Sequence, residues 1–359
     1  MSPGRALLAL LLVAVAGCAQ EARVLRMDLD AKSRNENLFW PGAPEVPRYF
    51  YAGQLIGETN YVEGSDKARS GVSNVLRWVA GLGGADEVPE GLQRPQTGAI
   101  DDAGRIFVTD SSRQAVLVFD PAKGLQTWEQ ASGLVHFSTP VGVAATAEGH
   151  VFVADAELGY VVELDAKGKP VAMLGKGLFK RPTGVAYDPQ TKRLFVCDSQ
   201  AHDVKVFDAG GQLVKTIGRR GEADGEFNYP SHIAFAHGEL YVADTMNSRV
   251  QVFADAGDRH RLSLGTRGLY VGNLVRPKGV AVDSEGNIYV VESYYDHLLV
   301  YDREGRFLLA IGGLGKDAGQ FYLPAGVWVD ARNRVFVADM FNGRIVVLQY
   351  LGGGAEHEP

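Results

Sequence analysis

The chain has 359 residues, of which 46% are hydrophobic and 22% are charged, and its formal net charge is −7. This composition is that of a globular protein and excludes a disordered or fibrous chain, while the acidic balance disfavours a nucleic-acid partner because phosphate binding draws on clustered Lys and Arg. The 44 glycines and 15 prolines indicate many short strands joined by tight turns, so the predicted class is all-β.

Residues 1–17 are predicted to be an export signal. Arg5 is followed by an apolar run over residues 6–16, which is too short for the roughly 20 residues that span a bilayer. The string VAGC at 15–18 resembles the lipobox of bacterial lipoproteins. This resemblance implies cleavage before Cys18 and acylation of Cys18, and Ala19 in place of an aspartate implies the outer membrane of a Gram-negative bacterium. Loss of Arg5, one of 36 basic side chains, would change the formal charge from −7 to −8.

Residues 18–47 are predicted to be a tether that follows the lipidated cysteine. The next segment, RYFYAGQLI at 48–56, has the pattern of a strand, and the sequence leaves open whether it caps the domain or closes its sheet. With Cys18 lipidated, Cys197 is the remaining cysteine of the two, so no intramolecular disulfide is predicted. Cys197 lies in the apolar run LFVC and is expected in the core.

One strand pattern occurs six times, each time ending in a carboxylate. The copies are RIFVTD, HVFVAD, RLFVCD, ELYVAD, NIYVVE and RVFVAD, and they end at Asp110, Asp155, Asp198, Asp244, Glu292 and Asp339. These acids are 45, 43, 46, 48 and 47 residues apart. Such a period in a strand-rich chain is typical of a propeller, in which each unit stacks on its neighbours to bury its faces.

Each unit contains four predicted strands. A proline and a short run such as GVAVD precede the strand that ends in the acid, and a third and a shorter fourth strand follow it. Four strands form a propeller blade, and a second strand that is apolar on both faces fits a sheet covered on both sides. We therefore predict a six-bladed β-propeller over residues 48–350, followed by a disordered tail at 351–359.

The turns and loops between these strands resemble those of NHL repeats. Residues 244–249, DTMNSR, and 339–344, DMFNGR, are similar to the DxxNxR turn of that family, and three loops share a G-x-x-G-x-x-x-G spacing. The resemblance covers residues 78–350 and implies NHL-type blades. The glycines do not predict a phosphate-binding loop, because they join strand to strand and a proline follows them.

Closure of the ring is predicted from a mismatch between its ends. The segment at 78–95 has the pattern of a fourth strand and loop without the three strands before it, and the last repeat has three strands without a fourth. Residues 75–80 are therefore predicted to complete the last blade beside residues 345–349, which would remove the exposed sheet edges.

The six strand-ending acids have two interpretations, a cation site or a structural role. The structural role is favoured, because an acid at a strand-to-turn junction accepts hydrogen bonds from the backbone of its own turn and because a structural role predicts one acid in every blade. No metal or other cofactor is predicted.

His232 is the candidate centre of an enzymatic alternative. It follows a blade proline at the position where the peptidyl-hydroxyglycine lyase, an NHL-like propeller, holds zinc with histidines. The corresponding residues in the other blades are taken as Gly98, Gly142, Gly184, Gly279 and Gly326. Because zinc enzymes use three protein ligands, His232 alone does not predict a zinc site. A metal-dependent lyase or hydrolase near His232 is the alternative function.

The favoured function is a binding module that acts through the loop face of the disc. Bulky and cationic residues occur in the turns of the last three blades: Met246, Arg249, Tyr294, Tyr295, Met340, Phe341 and Arg344. Such side chains are enriched at interface hot spots, although they are equally expected if they fold back over the blades. Trp328 replaces an alanine of the first strand and is expected either to plug the channel or to floor a pocket. The expected partner is an envelope or extracellular protein, peptide or glycan, and the expected membrane contact is the N-terminal lipid alone.

Overall fold

The computed structural model describes residues 23–27, 38–63 and 90–352. The predicted signal segment, Cys18, residues 75–80 and residues 353–359 lie outside the described residues. Within the described part of the chain, no helix is long and apolar enough to cross a membrane.

The described chain forms six antiparallel sheets arranged as blades, which confirms the predicted six-bladed β-propeller. Blade 1 contains Pro95–Ile100, Ile106–Asp110, Ala115–Asp120 and Gly124–Trp128. Blade 2 contains Pro140–Ala145, Val151–Asp155, Tyr160–Leu164 and Pro170–Leu174, and blade 3 contains Pro182–Asp188, Arg193–Asp198, Asp203–Phe207 and Leu213–Ile217. Blade 4 contains Pro230–Ala236, Glu239–Asp244, Arg249–Ala254 and Arg259–Leu264, and blade 5 contains Pro277–Val282, Ile288–Glu292, His297–Tyr301 and Phe307–Gly312.

Blade 6 is built from both ends of the described chain. Its strands Val327–Val329, Arg334–Asp339 and Arg344–Tyr350 are followed by Tyr49–Leu55, with Phe39–Trp40 on the outer edge. Leu55 pairs with Ile345, and Tyr49 pairs with Tyr350. The closing strand is therefore Tyr49–Leu55, and the assignment of residues 75–80 to this place is wrong. Every second residue of this strand is buried, namely Tyr49, Tyr51, Gly53 and Leu55. The strand therefore supplies the apolar face that blade 6 needs.

Part of the segment predicted as a tether is packed against the propeller. Phe39–Trp40 pairs with Tyr49 and Phe50, and the indole of Trp40 packs on the apolar core shared by blades 5 and 6. Arg23–Leu25 pairs with Tyr61–Glu63. These residues belong to the folded domain because apolar side chains among them, such as Leu25 and Trp40, pack against its core.

The remaining elements are short. Strands Gln130–Ser132 and Val135–His136 form a hairpin between blades 1 and 2. Within residues 23–27, 38–63 and 90–352, four single-turn 3-10 helices span Glu58–Asn60, Thr245–Asn247, Asp255–Gly257 and Met340–Asn342.

Apolar clusters lie between adjacent blades rather than within them. The cluster that joins blade 6 to blade 1 contains Leu55 and Phe336 from one side and Val108 and Leu117 from the other, with all four side chains excluded from solvent. The closing interface is thus as dry as the others, which is what a ring without exposed edges requires.

Candidate functional site

The six strand-ending acids hold the loop face together. In blade 1, Asp110 Oδ2 accepts hydrogen bonds from the backbone N–H groups of Gln93 and Arg94 at 2.7 and 2.9 Å. Its Oδ1 accepts from Ser112 and Arg113 at 3.1 and 3.0 Å. Asp155, Asp198 and Glu292 bridge the same two segments in their blades. Each acid therefore ties the turn after the second strand to the loop before the first strand, a structural role, and both segments emerge on one face.

Arg249 and Arg344 extend these acid clamps into the glycine loops. Arg344 Nε donates to Asp339 Oδ2 at 2.7 Å, and its Nη2 donates to the carbonyl oxygen of Gln320 at 2.9 Å. Arg249 makes the matching bonds in blade 4, at 2.9 Å to the strand-ending acid and at 2.8 Å to a loop carbonyl. Asn342 also donates to Asp339 Oδ2, at 2.8 Å. Both arginines were predicted as ligand contacts, and the fold uses their Nε and Nη2 donors.

His232 and Thr97 are equivalent residues of opposite blades. His232 pairs with Ala243 across its blade, and Thr97 pairs with Thr109 in the same register. The assignment of Gly98 as the counterpart of His232 is therefore wrong by one residue, because the glycine of blade 1 comes one position later than in the other blades. In a six-bladed ring, blades 1 and 4 face each other across the channel.

The His232 ring crosses the channel to Thr97. Its Nε2 lies 3.0 Å from Thr97 Oγ1, and its Nδ1 lies 3.4 Å from the backbone nitrogen of Val280. Since the Val280 N–H donates to Nδ1, the proton of the neutral ring is on Nε2 and is donated to Thr97. Burial lowers the pKa of His232 to about 4, so this imidazole is neutral at physiological pH.

The geometry of the channel explains why four of the six blades have glycine at this position, namely Gly142, Gly184, Gly279 and Gly326. A Cβ atom at Gly184 would lie 2.7 Å from the Cα atom of His232, and one at Gly279 would lie 2.8 Å from the carbonyl oxygen of Ala325. The first strands of adjacent blades approach too closely there for a side chain. In the described part of the chain, no three His, Cys, Asp or Glu residues are grouped to hold a metal ion.

Together, His232 and Thr97 divide the channel into two cavities. The cavity on the loop face has a volume of about 390 Å³, and the cavity on the opposite face has about 260 Å³. Both cavities are lined by this pair. We name the loop-face cavity the mouth cavity, and its lining includes Arg181, Thr183, Ser199, Gln200, Tyr229, Ser231, Thr245 and Lys278.

The hydroxyl groups of the mouth cavity connect neighbouring blades. Ser199 Oγ donates to the carbonyl oxygen of Pro230, and Thr245 Oγ1 donates to that of Pro277 at 2.8 Å. Ser231 Oγ contacts both Thr245 Oγ1, at 2.6 Å, and the carbonyl oxygen of Lys278, at 3.0 Å. These hydroxyl protons are committed to the fold, so the groups left to meet a ligand are mainly charged or amide side chains.

The Trp328 ring packs against the neighbouring blade where Gly98 has no side chain. It stands where the other first strands have Ala, and its ring occupies the space that a Cβ atom of Gly98 would need. The residues equivalent to Gly98 are Val or Ile, such as Val143 and Ile233. Trp328 is 7% exposed, stacks on Phe336 and lines the cavity on the opposite face. The structure therefore gives it a packing role away from the loop face.

The other predicted contact residues lie on the loop face, and we name them the aromatic sector: Met246, Tyr294, Tyr295, Met340 and Phe341. Met246, Tyr294 and Phe341 are 51%, 56% and 44% exposed. Tyr295 is half-buried and lines a small cavity of the glycine loop at 269–273. The Met340 sulfur, also half-buried, accepts a hydrogen bond from Gln96 at 3.3 Å. Some of these side chains thus fold back over the blades, while three project into solvent.

Comparison with known proteins agrees with this architecture. A family model described as "6-bladed beta-propeller" matches residues 178–254 and 273–353. Protein brain tumor of Drosophila melanogaster is 29% identical over 136 residues, which are 37% of this chain and 12% of that protein. The NHL repeat-containing protein 2 of Bos taurus is 29% identical over 181 residues, which are 41% of this chain and 24% of that protein. The chain is an NHL-type six-bladed β-propeller.

Two further similarities involve proteins named as enzymes. The peptidyl-glycine alpha-amidating monooxygenase of Mus musculus is 30% identical over 155 residues, or 38% of this chain and 16% of that protein. The structure of a streptogramin B lyase superimposes with a TM-score of 0.54 at 12% identity, covering 72% of this chain and 94% of the lyase. The matched segments thus cover less than a quarter of each of these three curated relatives, and the lyase shows the fold alone.

Sequence reasoning on this NHL-type propeller missed Thr97, Arg181 and Lys278. A signal for Lys278 was present, because the residues that follow the blade prolines are Gln96, Val141, Thr183, Ser231, Lys278 and Ala325. Lys278 is the charged member of that set. Arg181 and Thr97 become meaningful only when the blades are placed around the channel.

Proposed function

We propose that this protein is a binding module that docks an envelope or extracellular partner on its loop face. The observation that carries the proposal is the exposure of large apolar side chains in the aromatic sector, at Met246, Tyr294 and Phe341. Neighbouring loops add Tyr229, 47% exposed, and Tyr322, 44% exposed. Aromatic side chains supply large contact areas at little entropic cost, methionine adapts its shape to a partner, and both are enriched at protein interfaces.

The exposed rings of the sector are held in place by neighbouring groups, which favours binding. Phe341 packs on Tyr322 with 5.3 Å between ring centroids, and the Arg94 guanidinium lies 5.0 Å above the Phe341 ring. Tyr294 packs edge-on against Tyr295 at 4.9 Å. A partner would therefore meet rings that lose little rotamer freedom on binding. Among the partners expected from the sequence, we favour a protein or peptide over a glycan because Met and Arg accompany the rings.

The test is site-specific cross-linking in cells that produce the full chain. A photoreactive phenylalanine analogue at Tyr294 or Phe341 is expected to capture one discrete partner. The matched control places the analogue at Val214, which is 50% exposed on the outer strand of blade 3. The same product from Val214, or no product from the two sector positions, would contradict the proposal.

A triple variant separates binding from packing. Tyr294→Ala, Tyr295→Ala and Phe341→Ala together are expected to abolish capture of the cross-linked partner from an envelope extract by the purified variant, at an unchanged melting temperature. The control combines Val171→Ala, Met173→Ala and Val214→Ala, at residues that are 51%, 44% and 50% exposed on the outer strands of blades 2 and 3. If the sector variant lowers the melting temperature and leaves capture intact, the sector serves packing.

We also propose that the module is tethered through acylated Cys18 at the outer membrane of a Gram-negative bacterium, which rests on the resemblance of the VAGC string at 15–18 to a lipobox. Fractionation of Cys18→Ala tests this anchor. The variant is expected in the soluble fraction, and retention in the membrane at the wild-type level would overturn the assignment.

The enzymatic alternative near His232 gains no support from the described residues. The His232 Nε2 atom is bonded to Thr97, and Nδ1 faces a backbone N–H group, so neither nitrogen is poised toward a shared ion. The names of two similar proteins, a monooxygenase and a lyase, are the reasons to measure bound metal in the purified chain.

A further inference from the structure

The mouth cavity carries positive charge that the fold does not neutralise. Arg181 and Lys278 are its charged lining residues, and no carboxylate lines it. Among the described residues, neither side chain forms an ion pair or a hydrogen bond, whereas most other buried or half-buried cations of the loop face do, such as Arg249 and Arg344. This is a local reversal of sign in a chain whose formal net charge is −7.

The strand-ending acids of the two blades that supply Arg181 and Lys278 already have hydrogen-bond partners. The strand-ending carboxylates of blades 3 and 5, Asp198 and Glu292, accept backbone hydrogen bonds from their own loops. Asp198 additionally pairs with Lys205 at 2.9 Å. Burial, followed by the charges of Arg276 and Arg181, lowers the pKa of Lys278. The ammonium group therefore lies in a site that disfavours its charge and would gain from an anion.

The backbone around Lys278 is fixed by its neighbours, which makes the site preorganised. Its carbonyl oxygen accepts from Ser231, and the carbonyl oxygen of the preceding Pro277 accepts from Thr245. The His232–Thr97 pair closes the floor with a neutral ring. The volume of about 390 Å³ is at the lower end of the range for small-molecule sites.

We propose that the mouth cavity binds a small organic anion, with Arg181 and Lys278 as the groups that contact its carboxylate or phosphate oxygens. Arg181 suits a planar oxyanion through paired N–H donors, and Lys278 adds a point charge. Gln200 and Tyr229 at the rim supply neutral polar contacts for the rest of the molecule. This site is separate from the aromatic sector and does not depend on a protein partner.

The test is calorimetric titration of the full chain with three probes, inorganic phosphate, acetate and citrate, at constant ionic strength. Saturable binding of phosphate alone would assign a phosphate-bearing ligand, and saturable binding of acetate or citrate alone would assign a carboxylate. A bound anion is also expected to raise the melting temperature, by an amount that grows with the logarithm of the ratio of its concentration to its Kd. If none of the three probes binds saturably up to about 10 mM, a concentration at which millimolar affinity would be detected, the proposal is overturned.

Variants identify the contacts. Lys278→Met and Arg181→Gln are each expected to weaken binding roughly tenfold or more, the loss of one charge-assisted hydrogen bond, while Lys278→Arg retains most of it. The control is Lys316→Met, which removes an exposed charge from a glycine loop of the same face and is expected to leave the affinity unchanged. Equal weakening by Lys316→Met, or wild-type affinity in Lys278→Met with an intact melting curve, would show that the cavity is not the site. Neither outcome bears on cross-linking from the aromatic sector.

Discussion

Replacing His232 by glutamine should remove a pH-dependent part of the stability. The pKa of His232 is lowered by burial from the ordinary value of 6.5 to about 4. Between these two pH values the unfolded chain binds a proton at this residue and the folded chain does not. Stability must therefore fall as the pH drops from 6.5 toward 4. At about 1.4 kcal/mol per pH unit, the full effect is about 3 kcal/mol.

The assay is urea unfolding of wild type and His232→Gln at several pH values between 7.5 and 4. Other titrating groups affect both proteins equally, so the informative quantity is the difference between the two free energies of unfolding. That difference is expected to shift against the wild type by about 3 kcal/mol as the pH falls. His136→Gln, at an imidazole whose side chain is 61% exposed, controls for the substitution itself. Parallel curves for wild type and His232→Gln across this range would refute the buried, neutral ring.

Three further predictions concern the ring, the loop clamps and the core thiol. Leu55→Ala, at a fully buried residue of the closing strand, is expected to lower the free energy of unfolding by about 2–5 kcal/mol in chemical denaturation. Replacing residues 75–80 by Gly and Ser is expected to leave the unfolding curve nearly unchanged. The reverse ranking would restore 75–80 as the closing strand. Arg344→Met leaves the buried Asp339 without its cationic partner and is expected to cost about 3 kcal/mol or more. Arg306→Met, at a side chain that is 75% exposed, is expected to cost less than about 1 kcal/mol, and similar losses for the two variants would argue against the clamp. Cys197 is fully buried and burial raises the pKa of its thiol, so in a chain that begins after Cys18 no thiol should react with a disulfide reagent until denaturant is added, and rapid labelling of the native protein would place Cys197 elsewhere.

The features that repeat could be predicted from the sequence because each is specified within a single blade. The acid at the end of the second strand, the DxxNxR turn and the blade proline act on residues a few tens of positions away. Their recurrence identified both the number of blades and the structural use of the acids. Arg249 and Arg344 belong to this repeating set, which accounts for their hydrogen bonds within the fold, and their role as ligand contacts stays a prediction.

The closing strand could not be assigned in the same way, because closure pairs residues about 290 positions apart. Leu55 meets Ile345, and nothing local in either segment identifies the other. Both candidate segments, 48–56 and 75–80, have apolar side chains suited to an outer strand. The register of blade 1 was hidden for a related reason, since its glycine is displaced by one residue and only cross-strand pairing shows that Thr97 matches His232.

Departures from the repeat separate into those that the fold compensates and those that it does not. Trp328 in place of Ala is matched by Gly98 in place of Val on the adjoining blade. His232 in place of Gly is matched by Thr97 on the opposite blade, which accepts its Nε2 proton. Both exchanges are accommodated inside the ring, the first by packing and the second by a hydrogen bond.

Lys278 is the departure for which the described residues provide no such match. It brings a cation to a half-buried position where other blades have Gln, Val, Thr, Ser or Ala, and the nearby charges that affect it, Arg276 and Arg181, have the same sign. A charge that costs desolvation and receives no compensation from the fold destabilises the folded chain. An anionic ligand would supply the missing compensation, and for that reason the mouth cavity, rather than the His232 ring beneath it, is where ligand chemistry should be sought.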